Sequence, residues 1–535
     1  MSNLASVKSK VKYTKHYLEI LSHNGKTSAD KYADDFHFLN SVDRDTVRRA
    51  HIVEKKVLEK QKSTEFSKDI KISILTPLFN TPKQFLIELI ESVQAQTYSN
   101  WELCLCDASD NEHDYVQDVV LDYQKKDMRI SYKKLEENKG ISENTNACIE
   151  VSTGQYFGLL DHDDILHPSA LFEVMKCIEK GADFIYTDEV KFSGSIEDIS
   201  NPLHFNCKGG FGIEELQSHN YICHFNVYSK ELLSRLEQPY YRTEYDGSQD
   251  HDMVLRLTEK AYSIVHIPKV LYYWRFHDQS VSMNLDSKSY AVDAGIHAVQ
   301  SQLNRKQWKG SVISNAPYRT IYKTKLSICD SLVSIVFYGN EKNINSVLKN
   351  TSYQNIEWVY GFESINVLKG DYILIYNSDL LPMNTNWIEE LLMHAQKDKV
   401  GVVGAKIFNQ DGSVYSGGIV FEQGNLFRIG SHNWEFEHGY EACLYCTRNT
   451  TAMEQDCILF KKELLDDFKT CDNSVQFCLK AIQNGYRNVW TSSSVLKSSI
   501  QLEYKNDKVK TLENFYEIVE NDIYFNPLWK VLHVL

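Results

Sequence analysis

Apolar and polar positions change period repeatedly through the middle of this chain. Ile72 to Thr76 is an apolar-rich run followed by a loop from Pro77 to Thr81. A short continuous run of that kind reads as a buried strand. Thr81 and Pro82 then open a helix that carries Phe85, Leu86, Leu89, Ile90 and Val93 on one face. Trp101 to Cys106 is a second strand ending at Asp107, with Cys104 and Cys106 at period two on a core face. Ile130 to Lys133 is a third, and a helix spans Glu143 to Val151. The apolar stretch Tyr156 to Leu160, behind Gly154, is a further strand that ends at Asp161, and Pro168 marks the next helix start. Strand and helix in turn predict a parallel, doubly wound α/β sheet. Asp107 and Asp161 both fall at strand ends, where open α/β sheets bind their ligands.

Before this region the texture differs. Residues 1–68 are charged and rich in helix formers, with Asp43 or Asp45 as caps before a helix through Lys62. They predict a solvated helical segment without chemistry. At 535 residues the chain has room for two or three cores. Its 42% hydrophobic and 24% charged content is that of a soluble globular protein. A net charge of −14 disfavours nucleic acid as a partner. No apolar run reaches the length of about 18 residues that a membrane span requires. The Lys-studded N-terminus lacks the apolar core of a signal peptide, so the 12 cysteines read as reduced thiols in the cytoplasm. Cys443 and Cys446 form a lone CxxC near His432 and His438. A structural zinc site normally needs a second such pair.

The chemistry concentrates in GQYFGLLDHDD, from Gly154 to Asp164. Asp161, Asp163 and Asp164 crowd the tip of one strand, where mutual repulsion favours protonation unless a cation neutralises them. An Asp-x-Asp site for Mg²⁺ or Mn²⁺ against a diphosphate is one reading; a solvated acidic turn capping the next helix is the other. Asp250 precedes Met253, Val254, Leu255 and Leu257 and reads as a carboxylate held at a helix start. There the helix dipole is expected to keep it ionised, and a plain N-cap is the alternative.

SILTPLFNTP, WELCLCDASD, NKGISENTNA, LLDHDD, YTDEVK, HNYICH, QDHDMVLRL and IPKVLYYWRFH follow one another along the chain. In this order they resemble bacterial glycosyltransferase family 2 enzymes, above all tandem members of the polysaccharide-assembly and rhamnosyltransferase-like kind. The resemblance runs over about residues 71–530. It implies a GT-A fold (a Rossmann-like, mostly parallel sheet) and an inverting sugar transfer. It also implies roles. Thr76 and Pro77 lie beneath the nucleotide, Asp107 reads the nucleobase, and Asn138 and Gly140 belong to the diphosphate loop. Asp161 and Asp163 are the Asp-x-Asp, Asp250 is the catalytic base with Asp252 in support, and His277 approaches the metal or diphosphate. Two departures stand out: Ala108 follows Asp107 where a second acid is common, and Asn144 and Asn146 stand where an Arg is common.

The second half repeats the first in worn form. GDYILIYNSDLL from Gly370 aligns with GQYFGLLDHDDI from Gly154, and VQFCLKAIQNGYRNVW with HDMVLRLTEKAYSIVH. Asp161 becomes Asn377, Asp164 becomes Leu380 and Asp250 becomes Ser474, while Asp163 keeps its partner as Asp379. Between the second strand and the glycine before the Asp-rich turn, the first copy spends about fifty residues and the second about a dozen. The repeat therefore predicts loss of the nucleobase carboxylate and of at least one strand-helix unit.

The expected organisation is a helical segment over 1–68, a catalytic GT-A domain over 69–284, a helical linker over 285–330 and a degenerate, non-catalytic GT-A-like domain over 331–535. The expected activity is transfer of a sugar from a UDP- or dTDP-sugar to a hydroxyl of a glycan acceptor in cell-surface polysaccharide synthesis. That acceptor is a lipid-linked glycan, a polysaccharide or a glycoprotein, and it supplies any contact with the inner membrane face. Action on a protein glycan and a non-catalytic partner subunit stand as alternatives, and the second domain is expected to serve packing, dimerisation into a homodimer or acceptor binding.

Overall fold

The computed structural model describes residues 2–200, 202–277, 289–504, 512–533 and 535. The domain border expected at 284/285 lies outside them. The chain divides into two units. The first comprises Arg44–Phe211 and His219–Thr324; the second comprises Met1–Asp43, Gly212–Ser218 and Lys325–Leu535.

The first unit is built on a nine-stranded sheet. Its strands are β1 (Ile72–Leu78), β2 (Trp101–Asp107), β3 (Ile130–Lys134), β4 (Tyr156–Leu159), β5 (Ile165–Leu166), β6 (Phe184–Phe192), β7 (His204–Asn206), β8 (Asn226–Ser229) and β9 (Ile264–Arg275). They lie in the order β3-β2-β1-β4-β8-β6-β9-β5, with β7 on β6. β3, β2, β1 and β4 are parallel, as the strand-helix alternation requires. β8 then enters antiparallel between β4 and β6, and β9 returns parallel to β6, so the far half of the sheet is mixed. All seven residues of β1 are buried; Thr76 lies in it as expected, and Pro77 and Leu78 belong to this strand and not to the loop after it. Helix Lys83–Gln94 packs Leu86, Leu89, Ile90 and Val93 into the core beside Val116, Val119 and Val120 of helix Tyr115–Gln124. Cys104 and Cys106 are both buried there.

The second unit follows a hairpin of β10 (Gly310–Asn315) and β11 (Tyr318–Leu326). Its strands are β12 (Val333–Tyr338), β13 (Ile356–Tyr360), β14 (Tyr372–Asn377), β15 (Leu380–Pro382), β16 (Val400–Phe408), β17 (Val414–Ser416), β18 (Ile419–Glu422), β19 (Asn425–Arg428), β20 (Arg448–Thr450), β21 (Cys457–Lys461) and β22 (Arg487–Ser498). The main sheet runs β13-β12-β14-β21-β16-β22-β15, which is the order of the first sheet with the counterpart of β3 missing. Each junction keeps its direction: β12 is parallel to β13 and β14, β21 is antiparallel to β14 and β16, and β22 is parallel to β16. The duplication reaches single contacts. Gly154 N–H donates to Ser73 Oγ, which donates to Glu102; Gly370 N–H donates to Ser334 Oγ, which donates to Glu357. A Cβ at either glycine would sit 2.5 Å from that serine oxygen, so the glycine before each Asp-rich strand is sterically required.

The amino-terminal segment differs from its expectation. Helix Ser2–Leu39, interrupted at Gly25, is followed by two short helices, Arg44–Arg49 and Lys55–Lys62, so the helix expected to run through Lys62 breaks after Arg49. His51 is buried just past the break. Nor is the long helix merely solvated. Ile20, Ala29 and Tyr32 form a small core with Trp434, and Asp35 accepts hydrogen bonds from His432 Nδ1 at 2.8 Å and Trp434 Nε1 at 3.2 Å. His432 is thereby committed to Asp35. Among the described residues no group of three His, Cys, Asp or Glu side chains forms a ready metal cage, including around Cys443 and Cys446. None of the described helices is long and apolar enough to cross a membrane.

Candidate active site

The carboxyl ends of β1 and β4, the start of helix Gln249–Lys260 and the end of β9 surround a crevice of about 670 Å³. Pro77, Asp161, Asp163, His224, Asp250 and His277 all line it. Five of these are residues that the sequence singled out, and they come from segments as much as 200 residues apart.

The acidic turn is pinned from behind. Asp164 is buried and points inward, where Tyr272 Oη donates to it at 2.5 Å and Arg275 N–H at 2.7 Å. Tyr272 Oη also accepts the Asp161 N–H at 3.3 Å. Arg275 binds the Asp163 carbonyl at 2.7 Å and pairs with Glu88 at 2.5 Å. With its backbone held by β9, the turn presents Asp161 and Asp163 to the crevice, with side chains 35% and 20% exposed. His277 Nε2 lies 2.7 Å from Asp163. Burial pushes the Asp161 carboxyl above its ordinary range; His224 opposes this and the charge of Asp163 adds to it. Burial likewise raises Asp164, with Asp163 and Asp161 reinforcing it.

His224 received no role from the sequence, yet it occupies the centre of the crevice wall. Its ring lies flat on Tyr272, with centroids 5.1 Å apart and planes at 10°. Nδ1 stands 3.1 Å from Glu189 and Nε2 3.5 Å from Asp161. Glu189 is buried behind it against Lys208, whose ammonium also reaches the carbonyls of Thr187, Ile222 and His224. Burial alone would lower the imidazole pKa, but Glu189 and Asp161 push it up to about 9. Burial would raise Glu189, and the Lys208 and His224 charges hold it at about 2. The only sequence signal was the HNYICH run, since the role depends on β8 pairing with β4.

Asp250 is the second residue of its helix. The expectation that the helix terminus keeps it ionised fails: burial, then the charge of Asp161, push it up to about 7, with His224 opposing. A carboxyl near neutrality is the protonation state that general-base work at physiological pH uses. Gly247, at φ 94°, makes room for the approach; a Cβ there would lie 2.7 Å from the ring of Tyr290. Asp252 points away from the crevice, fully buried between Arg242 and Arg256.

The remaining assigned residues lie outside the lining. Thr76 and Asp107 are fully buried. Asp107 accepts from Ser109 N–H at 2.8 Å, Tyr132 Oη at 2.7 Å and Lys134 Nζ at 3.0 Å. Burial would raise its pKa, and those hydrogen bonds hold it below the usual range. Asn138 closes the loop by accepting from Gly140 N–H and from the Asn144 amide. Asn146 spends both ends of its amide on the Tyr241 backbone. Asn144, through its Nδ2, and Asn146, through both ends of its amide, are thus tied into the protein.

The Asp161 and Asp163 carboxylates are oxygen donors that a hard divalent cation accepts, with diphosphate oxygens and water to complete its shell. Asp163 with His277, and Asp161 with His224, stand as separate pairs, and the raised Asp161 would gain from a cation.

Residues 73–237 match the family model described as Glycosyl transferase family 2. The chain is 31% identical over 478 residues to the uncharacterized protein y4gI of Sinorhizobium fredii, covering 78% of this chain and 52% of that one. It is 25% identical over 522 residues to the O-antigen biosynthesis protein RfbC of Myxococcus xanthus, covering 85% of this chain and 40% of that one. A shorter stretch of 235 residues is 28% identical to the GalNAc(5)-diNAcBac-PP-undecaprenol beta-1,3-glucosyltransferase of Campylobacter jejuni, covering 42% of this chain and 71% of that enzyme. The chain thus spans about half or less of the length of the first two relatives.

Proposed function

Because residues 73–237 are a glycosyl transferase family 2 domain, we propose that the first unit transfers a sugar, with inversion, from a UDP- or dTDP-sugar to a hydroxyl of a glycan acceptor in surface-polysaccharide synthesis. The observation that carries this reading is the convergence of Asp161, Asp163, Asp250 and His277 on one crevice. Relatives named for O-antigen biosynthesis and for glucosyl transfer to an undecaprenol-linked glycan support the class of acceptor.

Asp161 and Asp163 would hold Mg²⁺ or Mn²⁺, with His277 beside them, and the ion would neutralise charge growing on the departing diphosphate. His224 faces the same region with Glu189 and Lys208 behind it and supplies fixed positive charge there. Asp107 shapes the nucleobase seat by holding Lys134 and the Ser109 turn at the ends of β2 and β3. Asp250, on the other wall, takes the proton of the acceptor hydroxyl as that oxygen attacks the anomeric carbon. Pro77 and Trp274 also line this crevice. The second unit is non-catalytic in this reading, since Ser474 replaces the base and the counterpart of β3 is missing.

The test is incubation with Mn²⁺ and individual sugar nucleotides plus a lipid-linked or soluble glycan, following nucleoside diphosphate release and product. Acceptor-dependent release lost in Asp163→Ala is the expected result. A protein that binds no sugar nucleotide, but raises the activity of another transferase, would be the partner subunit instead.

A further inference from the structure

The second unit has a cavity of about 300 Å³ whose lining includes the apolar Phe362, Ile365 and Phe468 and the polar Gln455, Asp472 and Asn473. Its place in the fold is informative. Phe362 follows β13, Gln455 precedes β21, and Asn473 caps helix Ser474–Gln483. Their counterparts in the first unit follow β2, precede β8 and open the helix that carries Asp250. The cavity therefore lies at the carboxyl end of the second sheet, among the counterparts of loops that surround the first unit's crevice, where the catalytic groups are gone.

The replacements have a consistent character. By register along β14 and β21, Asn377 stands for Asp161 and Asp456 for His224. Acid and cation have thus become amide and acid, and the two are tied together: Asp456 Oδ1 accepts from Asn377 Nδ2 at 2.9 Å and from Tyr338 Oη at 3.1 Å. Asp379 accepts from Asn343 at 3.4 Å. Asp472, the carboxylate of the lining, repels a phosphate, and Lys469, the cation of the lining, pairs with Asp466 at 3.0 Å. What remains is a lining of aromatic and aliphatic side chains with amides, one carboxylate and the paired Lys469. A neutral pyranose matches that pattern, with its C–H face on the aromatic ring and its hydroxyls on the polar side chains.

We propose that this cavity binds one neutral sugar residue of a glycan chain, in the absence of any nucleotide, and so serves as a non-catalytic glycan site. The proposal rests on the sugar-transfer reading only for its choice of probe, because binding is measured without transfer.

The experiment titrates the full chain with neutral oligosaccharides of two to six hexose or N-acetylhexosamine units, by calorimetry and ligand-observed NMR. UDP with Mn²⁺ is measured separately by thermal shift. At least one oligosaccharide should bind. Phe362→Ala, at a partly exposed position, should weaken it tenfold or more without changing the UDP shift. Asp472→Asn, which keeps the Gln476 contact that orders the loop, should weaken it as well and carries the test if Phe362→Ala folds poorly. Binding that is absent for the whole panel, unchanged in both variants, or abolished by Asp163→Ala overturns the proposal. A fatty-acyl chain or detergent that displaces the oligosaccharide would reassign the cavity to lipid. Loss of the UDP shift with glycan binding intact would instead overturn the catalytic reading alone.

Discussion

Asp250→Asn tests the assignment as base through two readouts that move in opposite directions. The plain N-cap alternative falls away, since Asp250 lies inside its helix and Ser248 holds the N-cap position. The carboxyl is raised from 3.8 to about 7 by burial and by Asp161. Unfolded, it titrates near its ordinary value. Between the two values the folded chain holds the extra proton, so this group's penalty is absent below about pH 4, grows as pH rises, and is complete above about pH 7. A rise of this size corresponds to about 4 kcal/mol, and to about 2 kcal/mol once crevice water is allowed for. Asn cannot ionise and keeps the shape of the side chain, so at pH 8 the variant should be the more stable protein. For a unit of this size the gain is about 4–8 °C in melting temperature, vanishing below pH 4. Transfer should fall by about 10² to 10⁴-fold, and the wild-type rise in rate through pH 7 should disappear. The melting curves belong in EDTA, because a cation beside Asp161 would relieve part of the repulsion. A variant that melts no higher than wild type at pH 8, or that transfers within twofold of it, would refute the assignment.

The two copies should respond differently to loss of the shared acid. Asp163→Ala should abolish metal-dependent nucleotide binding while Asp379→Ala leaves it intact, and calorimetry should count one nucleotide per chain. Asp252→Asn should act on stability, because it leaves Arg242 and Arg256 without their buried carboxylate. About 3–5 kcal/mol is expected in urea unfolding, with a near-normal rate per folded molecule. Glu214 is buried in the second unit between Lys397 at 3.6 Å and Arg487 at 2.9 Å. Burial would raise its pKa, but those charges depress it to about 2. Its contribution is therefore present above the ordinary 4.5 and is lost as pH falls toward 2. Glu214→Gln should cost about 3–5 kcal/mol at neutral pH and little at pH 2, read from urea midpoints.

Legibility in the sequence followed how local each feature is. The parallel half of the first sheet was readable because apolar runs and amphipathic helices alternate along the chain. The antiparallel entry of β8 was not, since a four-residue strand between loops carries almost no periodic signal. Asp161, Asp163, Asp250 and His277 could be found because each sits in a dense local motif at the tip of an element. The burial of Asp107 was hidden. Two of its donors, Tyr132 and Lys134, lie on β3, and only the register that sets Lys134 beside Asp107 brings them in. Asp250 shows the same limit in energetic form. The helix start was visible, but the nearness of Asp161, which adds to the effect of burial on its pKa, belongs to the fold. The repeat was readable from matching glycines, and the shared strand order bears it out at the level of topology.

The long amino-terminal helix has a consequence in time. Its partners, His432 and Trp434, emerge from the ribosome about 390 residues after it. At roughly 5–20 residues per second, Tyr32 and its neighbouring aromatics wait on the order of 20–80 s for the surface they cover. Throughout that interval the first unit can complete its own sheet, so the chain's opening segment joins the structure almost last. A nascent chain arrested before residue 434 would carry this helix as a sticky, unburied aromatic stripe, an obvious client for holding chaperones.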